Sequence, residues 1–256
     1  MNAPPSRGAR AASRRVLRRT RELMGDDPRL LPIVLRATPM GMDKAISDRT
    51  RLVVEGFPRS GNTFATFAIQ HAQPRPLAIA SHAHVPAQVA AAVALRLPTL
   101  VVVRDPLDTL TSLLVAAPHV QPAAAWREWV HHHEQVLRLA HERDGVVFAT
   151  FRQVTGALGE VTDRVNQRFG TTLAPFEAGP EATAAVFASI DAHHGRVHGG
   201  TVHVLPRPVE SRRPAADGAR ALLLDQRHRA RAVAAEALWL RARHLAGDPP
   251  RRSVQP

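Results

Sequence analysis

Gly56-Phe57-Pro58-Arg59-Ser60-Gly61-Asn62-Thr63 is the segment of this chain best suited to chemistry on an anion. Its G-x-x-x-x-G-x-T skeleton turns main-chain N–H groups toward one centre at a helix start, the arrangement that cradles a phosphate. A nucleoside triphosphate loop carries a lysine before the hydroxyl residue, which reaches the outer phosphates. Asn62 stands there instead, so a triphosphate with its metal is poorly served. Arg59, inside the loop, offers a fixed charge and planar donors to a smaller anion.

A second anion site is legible in Val103-Arg104-Asp105-Pro106-Leu107-Asp108-Thr109-Leu110-Thr111-Ser112. Arg104 closes an apolar run, and Ser112 lies about two turns into the helix that Pro106 opens. A guanidinium and a hydroxyl so placed grip a phosphate, one by charge and one by a directional hydrogen bond. The competing reading is an ion pair between Arg104 and a nearby aspartate, tying strand to helix.

Both segments need a rigid frame. Short apolar runs bounded by breakers alternate with helical patterns along the chain. Leu52-Val53-Val54-Glu55-Gly56 predicts a strand, and Asn62 to His71 the helix after it. Leu77 to His82 predicts a second strand, and Ala87 to Leu97 a helix opened by Pro86. Leu100 to Val103 reads as a strand buried on both faces, followed by Asp105 as the N-cap of the next helix. Val146 to Thr150 predicts a fourth strand, and Gln153 to Phe169 a helix ending at Gly170. A long alanine-rich helix is expected from Arg220 to Ala246, packed on the same domain. Such alternation predicts a parallel sheet covered on both sides, with ligands at the carboxyl ends of its strands.

Taken together, the two anion motifs resemble those of the sulfotransferase family that uses 3′-phosphoadenosine 5′-phosphosulfate (PAPS). Pro58 to Phe64 is similar to the family's 5′-phosphosulfate loop. Arg104-Asp105-Pro106, through Asp108 to Ser112, is similar to its 3′-phosphate motif. The resemblance runs from about Leu52 to Gly170, with weaker matches at Phe148 to Val154 and Asn166 to Gly170. It implies a three-layer α/β sandwich with a central parallel sheet and a P-loop-like phosphate-binding loop. PAPS is the implied co-substrate, with no metal. By the resemblance, Arg59 contacts the 5′-phosphate and the bridging oxygen. Main-chain N–H groups of Ser60, Gly61 and Asn62, with the Thr63 hydroxyl, complete the cradle. Phe64 falls near adenine, and Arg104 and Ser112 hold the 3′-phosphate.

Sulfuryl transfer needs in-line geometry, donors aimed at developing charge, and a base for the acceptor's proton. Ala80-Ser81-His82-Ala83-His84-Val85-Pro86 stands at the end of the second predicted strand, where the family places its base. His84-Val85-Pro86 matches the last three positions of a Lys-Thr-His-Leu-Pro pattern, and His82 replaces the lysine. On an extended segment the two imidazoles share a face. His84 is preferred as the base, with His82 as the alternative, and the missing lysine passes leaving-group stabilisation to Arg59.

Other features carry blander readings. His131-His132-His133, like His193, His194 and His198, could suggest a metal. Consecutive histidines on a helix point apart, and neither a cysteine nor matching carboxylate spacing completes a ligand set. Trp126, Trp129, Val130, His133 and Leu137 recur at helical spacing and read as a core stripe. Arg207, Arg212 and Arg213 lie where family members return a basic loop to the 3′-phosphate, or where a charged surface turn would stand.

Composition narrows the rest. With 256 residues the chain is long enough for a single large core. Zero cysteines exclude thiol catalysis and cysteine-held metals, and zero tyrosines exclude a phenolic acid or base. The net charge of +12 is carried by the ends: residues 1–36 hold nine arginines against three acids, and 205–256 eleven against five. The formally neutral centre argues against a dedicated nucleic-acid role. Residues 1–36 read as a basic arm, with a helix over 9–24 able to touch a membrane surface, and 37–256 as a single α/β domain. The longest uncharged stretch, Pro76 to Leu95, is interrupted by His82, His84, Pro86 and Gln88 and does not read as a membrane span. A cytoplasmic sulfotransferase acting on a hydroxyl or amine of a small molecule, glycan or lipid is the expectation. Its rival is a nucleotide-binding protein of kinase-like or inactive type.

Overall fold

A computed structural model describes residues 25–36, 45–143, 145–198 and 210–248. Its centre is a four-stranded, all-parallel sheet: β1 (Leu52–Glu55), β2 (Ile79–Ser81), β3 (Thr99–Val103) and β4 (Val147–Thr150), in the order β2-β1-β3-β4. Val54 pairs with Ser81 on one side and Leu100 on the other, and Val103 pairs with Thr150. Every residue of β1, β3 and β4 is buried. That is why these strands read as continuous apolar runs: both faces meet other side chains.

The alternation of side chains sorts the helices. Leu52, Val54, Leu100, Val102, Val147 and Ala149 share one core cluster with α2 (Asn62–Ala72), α6 (Phe151–Gly156), α7 (Leu158–Phe169) and α8 (Pro180–His198). Val101, Val103 and Phe148 face the opposite way, against α3 (Pro86–Ala94), α5 (Pro122–Arg143) and α10 (Arg229–Leu245). A further cluster joins α4 (Pro106–Ala116), α5, α9 (Arg213–Leu223) and α10 around Trp126, Trp129 and Phe57. The expected core stripe on α5 is therefore realised, with Trp129 and Leu137 at 0% and 1% exposure. Leu31, Val34 and Leu35 of α1 (Leu31–Arg36) pack against Ala83, Val85 and Ala87, and the Ala87 N–H donates to the Gly25 carbonyl at 2.8 Å. Residues 25–36 thus lie on the body instead of forming part of a separate arm. The basic helix expected over residues 9–24 lies outside the described residues.

Four expectations need correction. The second strand stops at Ser81, short of His82, because the Ala83 and His84 N–H groups turn to a side chain, Glu55. The helix expected from Gln153 starts earlier, at Phe151, under a capping box between Thr150 and Gln153, and breaks at Ala157. The long C-terminal helix is two: α9 ends at Leu223, and Asp225 caps a short 3-10 turn (Gln226–His228) by accepting from the Arg227 N–H. The helix expected from Ala87 to Leu97 runs from Pro86 to Ala94. Among the described residues no helix is long and apolar enough to cross a membrane.

Candidate functional site

The chain leaves β1 toward β2 on one side, then returns to place β3 on the other. The crevice at the carboxyl ends of β1 and β3 is the switch point where parallel sheets bind ligands. Both anion motifs arrive there. The loop from Gly56 to Gly61 follows β1, and Arg104 follows β3.

Backbone geometry explains the loop's residue types. A Cβ on Gly56 would lie 2.2 Å from the Val102 carbonyl oxygen, so only glycine passes β3 this closely. Gly61 sits at φ 105°, a region closed to side chains, and a Cβ there would lie 2.9 Å from the Phe151 ring. Arg59 itself adopts φ 73°, a costly conformation for a residue with a Cβ. The Ser60 N–H closes the turn onto the Phe57 carbonyl at 3.2 Å. Asn62, in the place of the triphosphate lysine, is buried and donates its amide to the Gly56 carbonyl at 3.0 Å. It therefore braces the loop. No side chain caps α2 at Gly61, and the buried Ser60 hydroxyl has no hydrogen-bond partner among the described residues.

The second motif closes on the first. The Arg59 Nε–H donates to the Ser112 hydroxyl oxygen at 3.0 Å, and Arg104 donates to the Arg59 carbonyl at 3.2 Å. The Arg104 guanidinium also lies 4.3 Å from the centre of the Phe151 ring. Asp105 serves as N-cap of α4, accepting from the Asp108 N–H, while Asp108 pairs with Arg220 at 3.0 Å. Both aspartates support the Arg104 charge from a distance, but among the described residues Arg104 forms no ion pair. The competing reading, an Arg104–aspartate ion pair between strand and helix, is therefore not what these aspartates form: one caps α4 and the other joins it to α9.

Electrostatics set this crevice apart. Burial first, and then the like charges of Arg212 and Arg104, together lower the Arg59 pKa to about 10. Burial likewise lowers that of Arg104. Arg59 thus meets two like charges in a half-buried crevice, a field that favours an anion beside it. Arg213, by contrast, points to solvent and pairs with Glu210 at 3.3 Å. Arg207 lies outside the described residues.

The histidines complete the rim. His82 and His84 adopt φ 63° and 56°, so they are left-handed and not extended as expected. Their rings nevertheless converge, with centroids 5.6 Å apart. Glu55, fully buried at the end of β1, is the cause. One carboxylate oxygen accepts from the Ala83 N–H (2.8 Å) and the Gln88 amide (2.9 Å), the other from the His84 N–H (3.0 Å). Sequence reading passed over Glu55 as a strand residue; a carboxylate ending an otherwise apolar strand was the signal available. His84 Nδ1 lies 2.8 Å from the Gly56 carbonyl, which can only accept. The Asn62 amide nitrogen lies 3.2 Å from the same Nδ1 but donates to the Gly56 carbonyl, so the shorter carbonyl contact places the neutral imidazole's proton on Nδ1 and its lone pair on Nε2. His82 contacts the Ser81 hydroxyl through Nδ1 (2.7 Å) and the Thr63 hydroxyl through Nε2 (3.0 Å).

No protein-family model and no curated protein matches this chain. The geometry of its own residues has to carry the functional reading.

Of the residues singled out from sequence, Arg59, Ser60, Gly61, Asn62, Thr63, His82, His84, Arg104 and Ser112 come together at this edge. Phe64 does not. It is buried in the core, 6.2 Å from Phe176 and 5.6 Å from Phe187 between ring centroids. Phe151, which lies within the weaker Phe148 to Val154 match but is not singled out there, places its ring against Gly61 and Arg104. Asn166 serves a local turn, accepting from the Leu173 N–H at 2.8 Å. Among the described residues no group of three histidine or acidic side chains is placed to hold a metal ion. His132 and His133 are buried, and His193 packs 5.4 Å from the Phe67 ring; the side chain of His198 lies outside the described set.

Proposed function

We propose that this chain is a sulfotransferase, moving a sulfuryl group from PAPS to a hydroxyl or amine of an acceptor. The observation that carries the reading is the meeting of Arg59, Ser112 and Arg104 at the sheet's switch point, with Arg212 alongside. Two hydrogen-bonding arginine motifs in contact suit a ligand with two separated anionic groups. A triphosphate, which calls for a lysine at position 62, is the poorer match.

The residues present fit such a donor. The first-turn N–H groups of α2 and the Ser60 hydroxyl, which has no partner among the described residues, supply donors to a 5′-phosphosulfate, with Arg59 beside them. Arg104 and Ser112 suit the 3′-phosphate, and Gly56 and Gly61 allow the P-loop-like approach. PAPS would bring the activated sulfuryl group. The protein's part is to hold it, offset its charge through Arg59, and take the acceptor's proton on His84 Nε2. Fixing Nδ1–H on the Gly56 carbonyl keeps the lone pair on Nε2 before any acceptor arrives.

Thermal melting tests this. Adenosine 3′,5′-bisphosphate at a hundredfold excess over its Kd should stabilise the fold by about 2.7 kcal/mol, and ATP with magnesium far less. Equal shifts would overturn the assignment. Arg104→Ala should weaken the bisphosphate by about tenfold or more, since a hydrogen bond to a charged group contributes about 1.5–3 kcal/mol.

A further inference from the structure

His82 and His84 stand two residues apart, in the same strained conformation, yet they make different contacts. His84 faces the Gly56 carbonyl. His82 links two hydroxyls, Ser81 at 2.7 Å and Thr63 at 3.0 Å. Thr63 occupies the first turn of α2, inside the anion loop.

Proton counting gives this chain a direction. A neutral imidazole has one N–H, and each hydroxyl has one proton. If Nδ1–H donates to Ser81, then Nε2 must accept the Thr63 proton. Thr63 then presents only lone pairs to the loop, which repel an anion. If Ser81 donates to Nδ1 instead, Nε2–H donates to Thr63, and the Thr63 proton is released toward the loop. An anion in the cradle selects the second arrangement.

We infer that His82 is a positioning residue of the anion cradle: it orients the Thr63 hydroxyl as a donor to the bound phosphosulfate, and it is not the proton acceptor. Resting on the anion-site reading above, this divides the two histidines, one serving the donor and one the acceptor. The cost of left-handed backbone at His82 is consistent with such a task, since the local conformation is held by Glu55 through the neighbouring N–H groups.

Calorimetric binding of adenosine 3′,5′-bisphosphate to the full chain tests it, with His82→Asn, His82→Gln, Thr63→Val and the pair His82→Asn/Thr63→Val. Asparagine tolerates the left-handed backbone and retains a group near Ser81, but is too short for Thr63. Glutamine is long enough to donate there. Both His82→Asn and Thr63→Val should weaken binding about tenfold, His82→Gln should recover most of the loss, and the double variant should be no weaker than Thr63→Val alone. Losses that multiply in the double variant would overturn the inference while leaving the anion site standing. No binding by the unaltered chain would overturn both. In the unaltered chain carrying 15N-labelled histidine, bisphosphate should move the His82 ring toward the Nε2–H form. An unmoved or Nδ1–H ring would count equally against the inference.

Discussion

Two histidine pairs touch the segment from Gly56 to Thr63, and their internal geometry is nearly the same. The His82 and His84 rings sit 5.6 Å apart at 78°, and the His132 and His133 rings 5.2 Å apart at 65°. Their surroundings are opposite. The first pair is half-buried at the end of β2, with hydroxyls and a carbonyl at its nitrogens. The second is buried on α5: His133 stacks on Trp129 at 3.7 Å, and both rings pack on Phe57. Burial drives the pKa of His132 well below the ordinary range, helped by His133, His84 and His131, and that of His133 to about 4. A histidine does acid–base work where both of its protonation states can exist. The buried pair is held neutral, so it acts as core with a polar edge.

The largest effect that would sharpen this contrast is on turnover. His84→Ala should lower the sulfuryl transfer rate by about 10²–10⁴, the range for removing a positioned base, with the bisphosphate Kd unchanged. A comparable loss from His132→Ala in a chain of unchanged stability would break the comparison, because it would place the buried pair in the chemistry.

The buried pair should declare itself through acid stability. The folded-state pKa of His133, about 4, lies below its ordinary value of 6.5. Above pH 6.5 both states are neutral and the group contributes nothing to the pH dependence. As pH falls from 6.5 toward 4, the unfolded chain binds a proton that the folded chain refuses, and stability is lost. The loss from His133 alone reaches about 3 kcal/mol near pH 4, and His132 adds in the same direction. Denaturant titrations across that window should show the slope, and His133→Leu should reduce it. An equal slope in the variant would mean that other groups govern acid unfolding.

How much of this was legible beforehand follows from what acts locally. The strands β1, β3 and β4 and the loop after β1 were readable because burial on both faces and close backbone passage leave marks on residue type: unbroken Leu-Val runs, and glycine at positions 56 and 61. The meeting of Arg59 with Arg104 followed from placing both motifs at strand ends. Glu55 was marked as a carboxylate ending an apolar strand, but its role was not legible, since its partners at positions 83, 84 and 88 are brought to it only by the fold. The left-handed turn at His82 and His84 is a consequence of that carboxylate, so the expected extension failed with it. Phe64 was read as part of the crevice because it adjoins the loop in sequence. As the third residue of α2, its side chain already points to Phe176, whose position depends on α7 and the segment after it. The break at Leu224 and Asp225 was marked by a capping residue that the alanine-rich surroundings hid.

His131 gives the smallest check of the contrast, because it adjoins the buried pair in sequence but its own side chain is exposed, touching the pair only as the weakest of the charges that act on His132. It is 41% exposed and pairs with Asp26 at 2.7 Å, joining α5 to the segment before α1. Exposed pairs of this kind contribute at most about 1 kcal/mol, since water screens the charges and both side chains lose freedom. His131→Ala should therefore shift Tm by no more than about 2–4 °C, within the range for a domain of this size. The acid-unfolding slope set by His133 should survive. A shift well beyond that would make the Asp26 contact a structural anchor for the start of the described body, and the three adjacent histidines would then divide differently: two for stability through burial, and a third through a tie between elements.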